Sequence, residues 1–252
     1  MTPSQQPHDD DKRAWWHGAL IDALRDAWAL LMPVECAGCE RVDRALCDEC
    51  ARRLVAQPSI HSTPQHLAVH YALRYEGRAR RVLLAFKNHH RTDLARALSA
   101  SFLPALLQAI DAASSSDPAT HPVQIVAVPS SRGAFRTRGY HPMALILRAA
   151  GVRHARVLRV AQETRSQKLL SAQQRASNVH GAFIATHSLA GIRVIIVDDV
   201  LTTGATIDEA ARAISAAGAT VVGAATIGFT PRRLTVRDIA SGEGYGMEKG
   251  AK

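Results

Sequence analysis

The sequence has few aromatic residues and no long apolar run. Phe, Trp and Tyr make up 5% of its 252 residues, too few for an extensive surface on which nucleic-acid bases stack. No apolar run approaches the length of a membrane span. The opening MTPSQQPHDDDKR lacks the basic start and apolar centre of a secretion signal. We therefore expect a cytoplasmic protein without membrane insertion.

Acidic residues are nearly absent from residues 121–193. This stretch contains ten arginines and one lysine, and its single acid is Glu163, in a chain of net charge +9. A field of one sign attracts phosphate, diphosphate or a nucleic-acid backbone. A solvated basic surface without a ligand is the alternative. The twelve histidines form no recognisable dyad with an acid or a nucleophile, so we assign them no chemistry.

Cysteine is also absent outside residues 36–50. The four cysteines there have the spacing C-x2-C, seven residues, C-x2-C: Cys36, Cys39, Cys47 and Cys50. Two such pairs can supply four thiolates to one tetrahedral structural zinc ion, and Gly38 suits the tight turn that the first pair needs. A redox disulfide and unligated core cysteines are the alternatives, and a cytosolic setting disfavours the disulfide.

Apolar patterning indicates the fold class. Strand-like runs lie at 67–75, 123–129, 155–160, 193–197 and 220–229, and helical patterns lie at 14–31, 77–90, 93–110, 140–151 and 209–219. Short β-branched runs that alternate with helices predict an α/β fold, with a parallel sheet covered by helices on both faces. The small, polar residues 111–122 predict a flexible connection.

The stretch VIIVDDVLTTGAT, residues 194–206, leads from a predicted buried strand into a predicted helix. Ligands of open α/β sheets bind at the carboxyl ends of the strands, and a helix N-terminus offers unpaired N–H groups to an anion. Gly204 allows a ligand to approach the backbone closely. Hydroxyl donors are supplied by Thr202, Thr203 and Thr206. The turn is therefore suited to a phosphate.

The two acids of the same stretch need another partner, because Asp198 and Asp199 would repel a phosphate. Carboxylates accept hydrogen bonds from sugar hydroxyls or reach a divalent cation through water. A ribose 5-phosphate satisfies both parts, with its phosphate in the turn and its 2- and 3-hydroxyls on the aspartates. A plain strand-to-helix turn with capping residues is the alternative.

This stretch resembles the phosphoribosyl diphosphate (PRPP) signature of type I phosphoribosyltransferases. The resemblance implies that fold, with PRPP as substrate, Mg²⁺ bound with it, and Asp198 and Asp199 as catalytic residues on the ribose hydroxyls. The residues implied in PRPP binding are Asp198, Asp199, Val200, Leu201, Thr202, Thr203, Gly204, Ala205 and Thr206.

Two basic segments complete the implied PRPP site. In phosphoribosyltransferases the loop that matches Pro129-Ser130-Ser131 binds diphosphate through backbone N–H groups, so Ser130, Ser131 and Arg138 are assigned to PRPP, with a basic surface loop as the alternative. Lys87, in AFKNHH, is assigned to the diphosphate, with DNA or a solvated helix face as alternatives. The polar stretch 161–183 lies where these enzymes carry a hood over the site, and a surface loop is its alternative.

The layout of the chain resembles the ComF-like competence family, which includes proteins named GntX. The resemblance covers about residues 20–230 and rests on the cysteine module, RVLLAFKNHHRTDLARAL, VPSSRGAFRTRGYHPMALIL, ETRSQKLLSAQQRASNVHGAF and the PRPP stretch. The sequence departs from the family at GYHPMALI, where a Gly-Phe-Asn-Gln type sequence is usual.

We expect three parts. Residues 1–60 carry an N-terminal helix and the four-cysteine zinc knuckle, and residues 61–232 form the phosphoribosyltransferase-like domain. Residues 233–252 lack apolar periodicity and are expected to form a disordered tail. The resemblance also implies a link to DNA uptake and natural competence, with single-stranded DNA and competence-machinery proteins as partners. An active phosphoribosyltransferase of nucleotide salvage and a non-catalytic PRPP sensor are the alternatives.

Overall fold

The computed structural model describes residues 34–42, 44–116, 122–161 and 180–231. The chain divides into two compact units, Met1–Arg53 and Leu54–Lys252. The predicted helix at 14–31, most of the polar stretch 161–183 and the tail 233–252 lie outside the described residues. The boundaries at residues 60 and 232 stay predictions.

The first unit is a short knuckle of chain around buried sulfur atoms. An antiparallel bridge between Glu35 and Val42 closes its first loop, and helix α1 covers Asp48–Arg52. The left-handed residue of this loop is Glu40, with φ of 64°, and not Gly38 as its sequence position suggests.

The second unit alternates strands and helices. Its elements in chain order are β1 Ser59–Ser62, β2 Ala68–Arg74, α2 Gly77–Asn88, a 3-10 turn Thr92–Leu94, α3 Ala95–Ser116, β3 Val123–Ala127, α4 Arg132–Arg138, α5 Pro142–Ala149, β4 Leu158–Val160, β5 Phe183–Ala185, β6 Arg193–Leu201, α6 Ala205–Ala216 and β7 Thr220–Phe229. This is the predicted α/β fold.

A five-stranded sheet forms the centre of this unit, in the order β1-β2-β7-β6-β3. All neighbouring pairs are parallel except β1 and β2 at one edge. Strands β4 and β5 form a separate antiparallel pair. The carboxyl ends of β3 and β6 therefore lie side by side, which brings the Pro129 loop next to the two aspartates.

Strand β6 is buried on both faces because helices pack on each side of it. Val194 and Ile196 belong to one core cluster with Ile207 and Ile214 of α6. The alternate residues Ile195 and Val197 point to the other face and are equally buried. A strand buried on both sides reads as a continuous apolar run, which is how RVIIV appears in the sequence.

Helix α3 is the most apolar long helix of the described chain. Within the helical stretch Thr92–Ser115, an 18-residue segment has a mean hydropathy of 1.2, and 44% of that segment is buried. By length and composition it could cross a membrane, but it packs against β2, β7 and α5, and Phe102 and Leu106 are fully buried. It behaves as a core helix.

The structure corrects several predicted elements. Helix α3 continues to Ser116, so residues 111–116 are not a flexible connection; residues 117–121 lie outside the described part. Strand β6 does not end at Val197 but continues to Leu201, because Asp198 pairs with Thr226 and Val200 with Gly228. Elements β1, α4 and β5 were not predicted at all, since each is shorter than a periodic pattern can reveal.

Candidate functional site

The two aspartates lie inside the last part of β6, at the carboxyl edge of the sheet. Both side chains are partly buried, and the backbone N–H of Asp199 donates a 2.8 Å hydrogen bond to Oδ1 of Asp198. Successive residues of a strand point to opposite faces, so this pair spans the edge of the sheet instead of sharing one face.

Lys87 reaches the aspartate pair from α2. Its Nζ lies 2.8 Å from Oδ2 of Asp199, and the side chains of the two residues are 22% and 18% exposed. Its position is supported by Tyr140, whose hydroxyl donates to the carbonyl oxygen of Phe86 and whose ring lies 5.7 Å from that of Phe86. Two of the residues predicted to bind PRPP, Lys87 and Asp199, are therefore in direct contact with each other.

The environment of Asp198 opposes its ionisation. Burial, followed by the charge of Asp199, raises the pKa of Asp198 to about 8. The N–H of Asp199 and the ammonium of Lys87 act in the opposite direction. A carboxyl group in a cleft that stays largely protonated, and therefore uncharged, at pH 7 is a common feature of functional sites.

The turn after β6 has the backbone that a phosphate site needs. Gly204 is the N-cap of α6 and has φ of 84°. An added Cβ there would lie 3.0 Å from both Pro64 Cδ and Thr63 Cβ, so neither the conformation nor the space admits a side chain. Thr202 and Thr203 are exposed beside it.

The loop after β3 supplies a second set of polar groups. Ser131 is the N-cap of α4, and its Oγ accepts a 3.1 Å hydrogen bond from the N–H of Ala134. Ser130 is partly buried. Arg138 lies in the last turn of α4, where Gly139 takes a left-handed φ of 75°.

One cavity of about 310 Å³ joins these groups. The predicted site residues that line it are Ser130, Ser131, Arg138, Asp198, Asp199 and Thr206. Lys87 meets it only through Asp199. The remaining predicted residues do not line it: Val200, Leu201, Thr202, Thr203, Gly204 and Ala205. Of these, Leu201 is 1% exposed, so its side chain belongs to the core.

Sequence reasoning missed several cavity residues. His141, His154, Arg156 and Phe183 also line it. The histidines had no partner at readable spacing, because the residues around them come from α5, from the loop before β4 and from β5. Only the departure at His141 from the family pattern drew attention to this region.

The four cysteines of the first unit are close enough to share one ion. Their sulfur atoms all lie within 4.8 Å of one another, and Sγ of Cys39 is 3.7 Å from that of Cys47. A tetrahedral zinc ion with Zn–S bonds of about 2.3 Å places its sulfur ligands about 3.8 Å apart. The cluster is therefore consistent with a zinc-binding module.

The protonation of the cluster is uneven. Burial disfavours the thiolate of Cys36, but the N–H groups of Cys47, Gly38 and Cys39 outweigh it and lower the pKa of Cys36 to about 6. Burial, the neighbouring cysteines and the charge of Cys36 raise the pKa of Cys50. A bound cation would stabilise all four thiolates.

Comparison with known proteins gives one family and several distant structures. None of the curated proteins compared with the chain matches it. The allosteric regulatory enzyme of purine biosynthesis is similar at 16% identity and a TM-score of 0.27, over 56% of this chain and 37% of that one. This chain therefore spans well under half of that enzyme's length.

Two smaller solved proteins are also similar. Orotate phosphoribosyltransferase from Aeropyrum pernix is 18% identical over 76% of this chain and 85% of that one, with a TM-score of 0.28. Adenine phosphoribosyltransferase from Rhodothermus marinus DSM 4252 is 20% identical over 52% and 81%, with a TM-score of 0.25. TM-scores this low support no conclusion about this chain.

The match to a family model, by contrast, does support a conclusion about this chain. The model of the phosphoribosyl transferase domain matches residues 94–240, more than half of the chain. The match contains the loop after β3 and the aspartate pair, which meet at the cavity, and the glycine turn that follows the pair. The chain belongs to the phosphoribosyl transferase domain family.

Proposed function

We propose that this chain is a PRPP-binding, phosphoribosyltransferase-like protein of the ComF type. The observation that carries the proposal is the aspartate pair of β6, which lines a cavity immediately before a glycine turn at the N-terminus of α6. A sugar hydroxyl donates to carboxylates, and a phosphate accepts from helix N–H groups. The carboxylates are followed directly by the helix N-terminus, so one ribose 5-phosphate could place its hydroxyls on the aspartates and its phosphate at the turn.

The diphosphate of PRPP is assigned to the loop after β3 and to helix α4. Ser130 and Arg138 belong to these elements and line the cavity, and Arg138 forms no ion pair with the described residues. Lys87 is the second cation assigned to it, and we propose that it leaves Asp199 for the diphosphate when PRPP binds. The exchange replaces one hydrogen bond between charged partners, worth about 1.5–3 kcal/mol, with another, so its direction follows from the larger negative charge of the diphosphate.

Mg²⁺ fits the same donor set, because carboxylate and phosphate oxygens are its preferred ligands. Asp198 and Asp199 would hold it together with the diphosphate oxygens. When bound, the ion would neutralise the leaving diphosphate. The aspartates fix the ribose so that an acceptor can attack the anomeric carbon while positive charge develops on the ring.

The zinc module and the link to DNA uptake complete the ComF-type proposal. Zinc is assigned to the four cysteines of the first unit, and the location is assigned to the cytoplasm. Single-stranded DNA and competence-machinery proteins are the proposed partners. Turnover in nucleotide salvage and non-catalytic PRPP sensing are the alternatives for the same site.

A surface feature favours the DNA partner. Phe135 is 40% exposed, and its ring stacks on that of His141 with centroids 4.6 Å apart. Arg136 is exposed on the same helix. An exposed aromatic ring next to a cation is the element with which proteins hold unpaired bases.

PRPP binding tests the main proposal. Asp199→Asn removes one negative oxygen acceptor, so we expect the Kd of PRPP with Mg²⁺ to rise about 10- to 100-fold, measured by calorimetry. The exposed Asp111 gives the control, and Asp111→Asn leaves the Kd unchanged. An unchanged Kd for Asp199→Asn would refute the assignment. Diphosphate release with a panel of acceptors then separates enzyme from sensor.

DNA binding is tested on the exposed ring. Phe135→Ala should weaken binding of a single-stranded oligonucleotide about tenfold and leave the salt dependence unchanged, because no charge is removed. Leu107, 54% exposed on α3, provides the control Leu107→Ala. Equal affinities for both variants would argue against a DNA surface at Phe135.

A further inference from the structure

The cavity extends past the aspartates into a compartment that PRPP binding leaves unassigned. Its walls come from the start of α5, the loop before β4, and strands β4 and β5. This compartment, called here the distal compartment, is lined by His141, Met143, His154, Arg156, Leu158 and Phe183.

The polar groups of the distal compartment are held by the sheet. The N–H of Ala155 donates a 2.8 Å hydrogen bond to the carbonyl oxygen of Ile125, and Ala155 forms a parallel bridge with Val126 of β3. Residues that flank a bridged position point to the same side of an extended chain. His154 and Arg156 therefore face the cavity together.

The charge of the distal compartment is of one sign. Arg156 is exposed and forms no ion pair with the described residues. None of the described residues on these walls is an acid, and Asp198 and Asp199 belong to β6, on the other side of β3 from the bridge of Ala155. Burial, and then the charges of Arg156 and His141, lower the pKa of His154. His154 is thus a neutral hydrogen-bonding group beside an uncompensated guanidinium, an arrangement that favours an anion.

The remaining walls are apolar and fixed. Met143 and Leu158 are buried. Phe183 is tied to α6 through both backbone groups: its N–H donates to Oε1 of Glu209 at 3.3 Å, and its carbonyl oxygen accepts from Nη2 of Arg212 at 3.2 Å. An apolar slot with a few convergent polar groups suits a flat ring with one polar substituent.

We propose that the distal compartment binds an aromatic or heteroaromatic ring acid, with its ring against Met143, Leu158 and Phe183 and its carboxylate on Arg156 and His154. The role of this acid as the phosphoribosyl acceptor rests on the proposed PRPP function, whereas its binding does not. A carboxylate that faces the guanidinium leaves a ring nitrogen on the far side free to face the ribose.

The test uses the full chain and matched pairs of probes. Benzoate and nicotinate are titrated against benzamide and nicotinamide, with and without saturating PRPP and Mg²⁺, and inorganic phosphate serves as an anion without a ring. We expect each acid to bind at least tenfold more tightly than its amide, and phosphate to bind more weakly than either acid. Arg156→Gln should reduce the preference for the acids at least tenfold.

The control is Arg153→Gln. Arg153 belongs to the same loop, is exposed and does not line the cavity, so the preference should persist in this variant. The inference is overturned if the acids do not bind, if the amides bind equally well, or if Arg156→Gln keeps the preference. PRPP titration of the same samples separates the two proposals: acid binding without PRPP binding refutes only the acceptor role, and PRPP binding without acid binding refutes only the ring-acid site.

Discussion

At the scale of the residue, ionising both members of the aspartate pair is unfavourable. Two carboxyl groups follow one another at the end of a buried strand, and one ammonium contacts only one of them. The ammonium of Lys87, whose Nζ lies 2.8 Å from Oδ2 of Asp199, offsets the charge of that carboxylate. Asp198, with a pKa of about 8, stays largely protonated at pH 7. A ligand that brings hydroxyl donors or a cation would stabilise the ionised form of both carboxyl groups.

Asp198→Asn should make the protein more stable at alkaline pH. The folded-state pKa of Asp198, about 8, lies above the value of about 3.9 for a free aspartate. The favourable contribution of its proton is complete below about pH 4 and is lost as pH rises through about 8. Asparagine does not ionise, and one pKa unit corresponds to about 1.4 kcal/mol, so we expect a gain of a few kcal/mol in the free energy of unfolding at pH 8 and little change near pH 4.

Urea unfolding across this pH range measures the effect. Asp111 is exposed on α3, and Asp111→Asn should leave the pH profile of the wild type unchanged. If Asp198→Asn follows the same profile as the wild type, Asp198 ionises freely in the folded chain and the described burial of its charge is wrong.

At the scale of the element, the turn from β6 to α6 depends on one glycine. Gly204→Ala places a Cβ 3.0 Å from Thr63 and Pro64 in a left-handed backbone with φ of 84°. We expect a loss of about 1–3 kcal/mol in the free energy of unfolding and weaker PRPP binding, because the helix N-terminus must move.

A matched substitution separates strain from crowding. Gly191 has φ of 75°, and an added Cβ there would meet nothing within 4 Å. Gly191→Ala should therefore cost only the backbone strain and leave PRPP binding unchanged. Equal losses for the two variants in thermal and urea unfolding would show that the contact with Thr63 and Pro64 is unimportant.

The same elements show what a sequence can reveal. Strand β7 was predicted at 220–229 and is observed at Thr220–Phe229, because its apolar composition records burial within the sheet. The continuation of β6 past Val197 was missed, since Asp198 is a poor strand former and is kept extended by its pairing with Thr226.

The distal compartment shows more clearly what the sequence alone does not predict. The aspartates and the glycine turn are adjacent in sequence, so their residue types alone indicated a ligand. His154 and Arg156 reach the cavity through the bridge between Ala155 and Val126, and Phe183 comes from a strand of three residues. Contacts between segments this far apart leave no local pattern.

At the scale of the whole molecule, the four-cysteine cluster and the proposed PRPP site fall in separate compact units. Cys47→Ser removes one of four ligands, so the purified protein should contain much less than one zinc per chain, and the Met1–Arg53 unit should lose stability. PRPP affinity should stay within about twofold, because the cysteines and the proposed PRPP site belong to separate compact units and share no residue. Metal analysis and calorimetry measure the two effects.

Ala51 provides the control for this prediction. It is exposed on α1, and Ala51→Ser adds the same hydroxyl without removing a thiol, so zinc content should be unchanged. A Cys47→Ser protein that still holds one zinc per chain would contradict four-cysteine coordination.

The order of the strands also governs how the chain can be made. Strand β2 has its parallel partner in β7, where Val69 pairs with Ala224, 155 positions later. A ribosome that adds about 5–20 residues per second needs roughly ten to thirty seconds to cover that interval. During that interval β2 and helix α3, which packs on it, lack the strand that pairs with β2. Their apolar surface is therefore exposed to aggregation until β7 is synthesised.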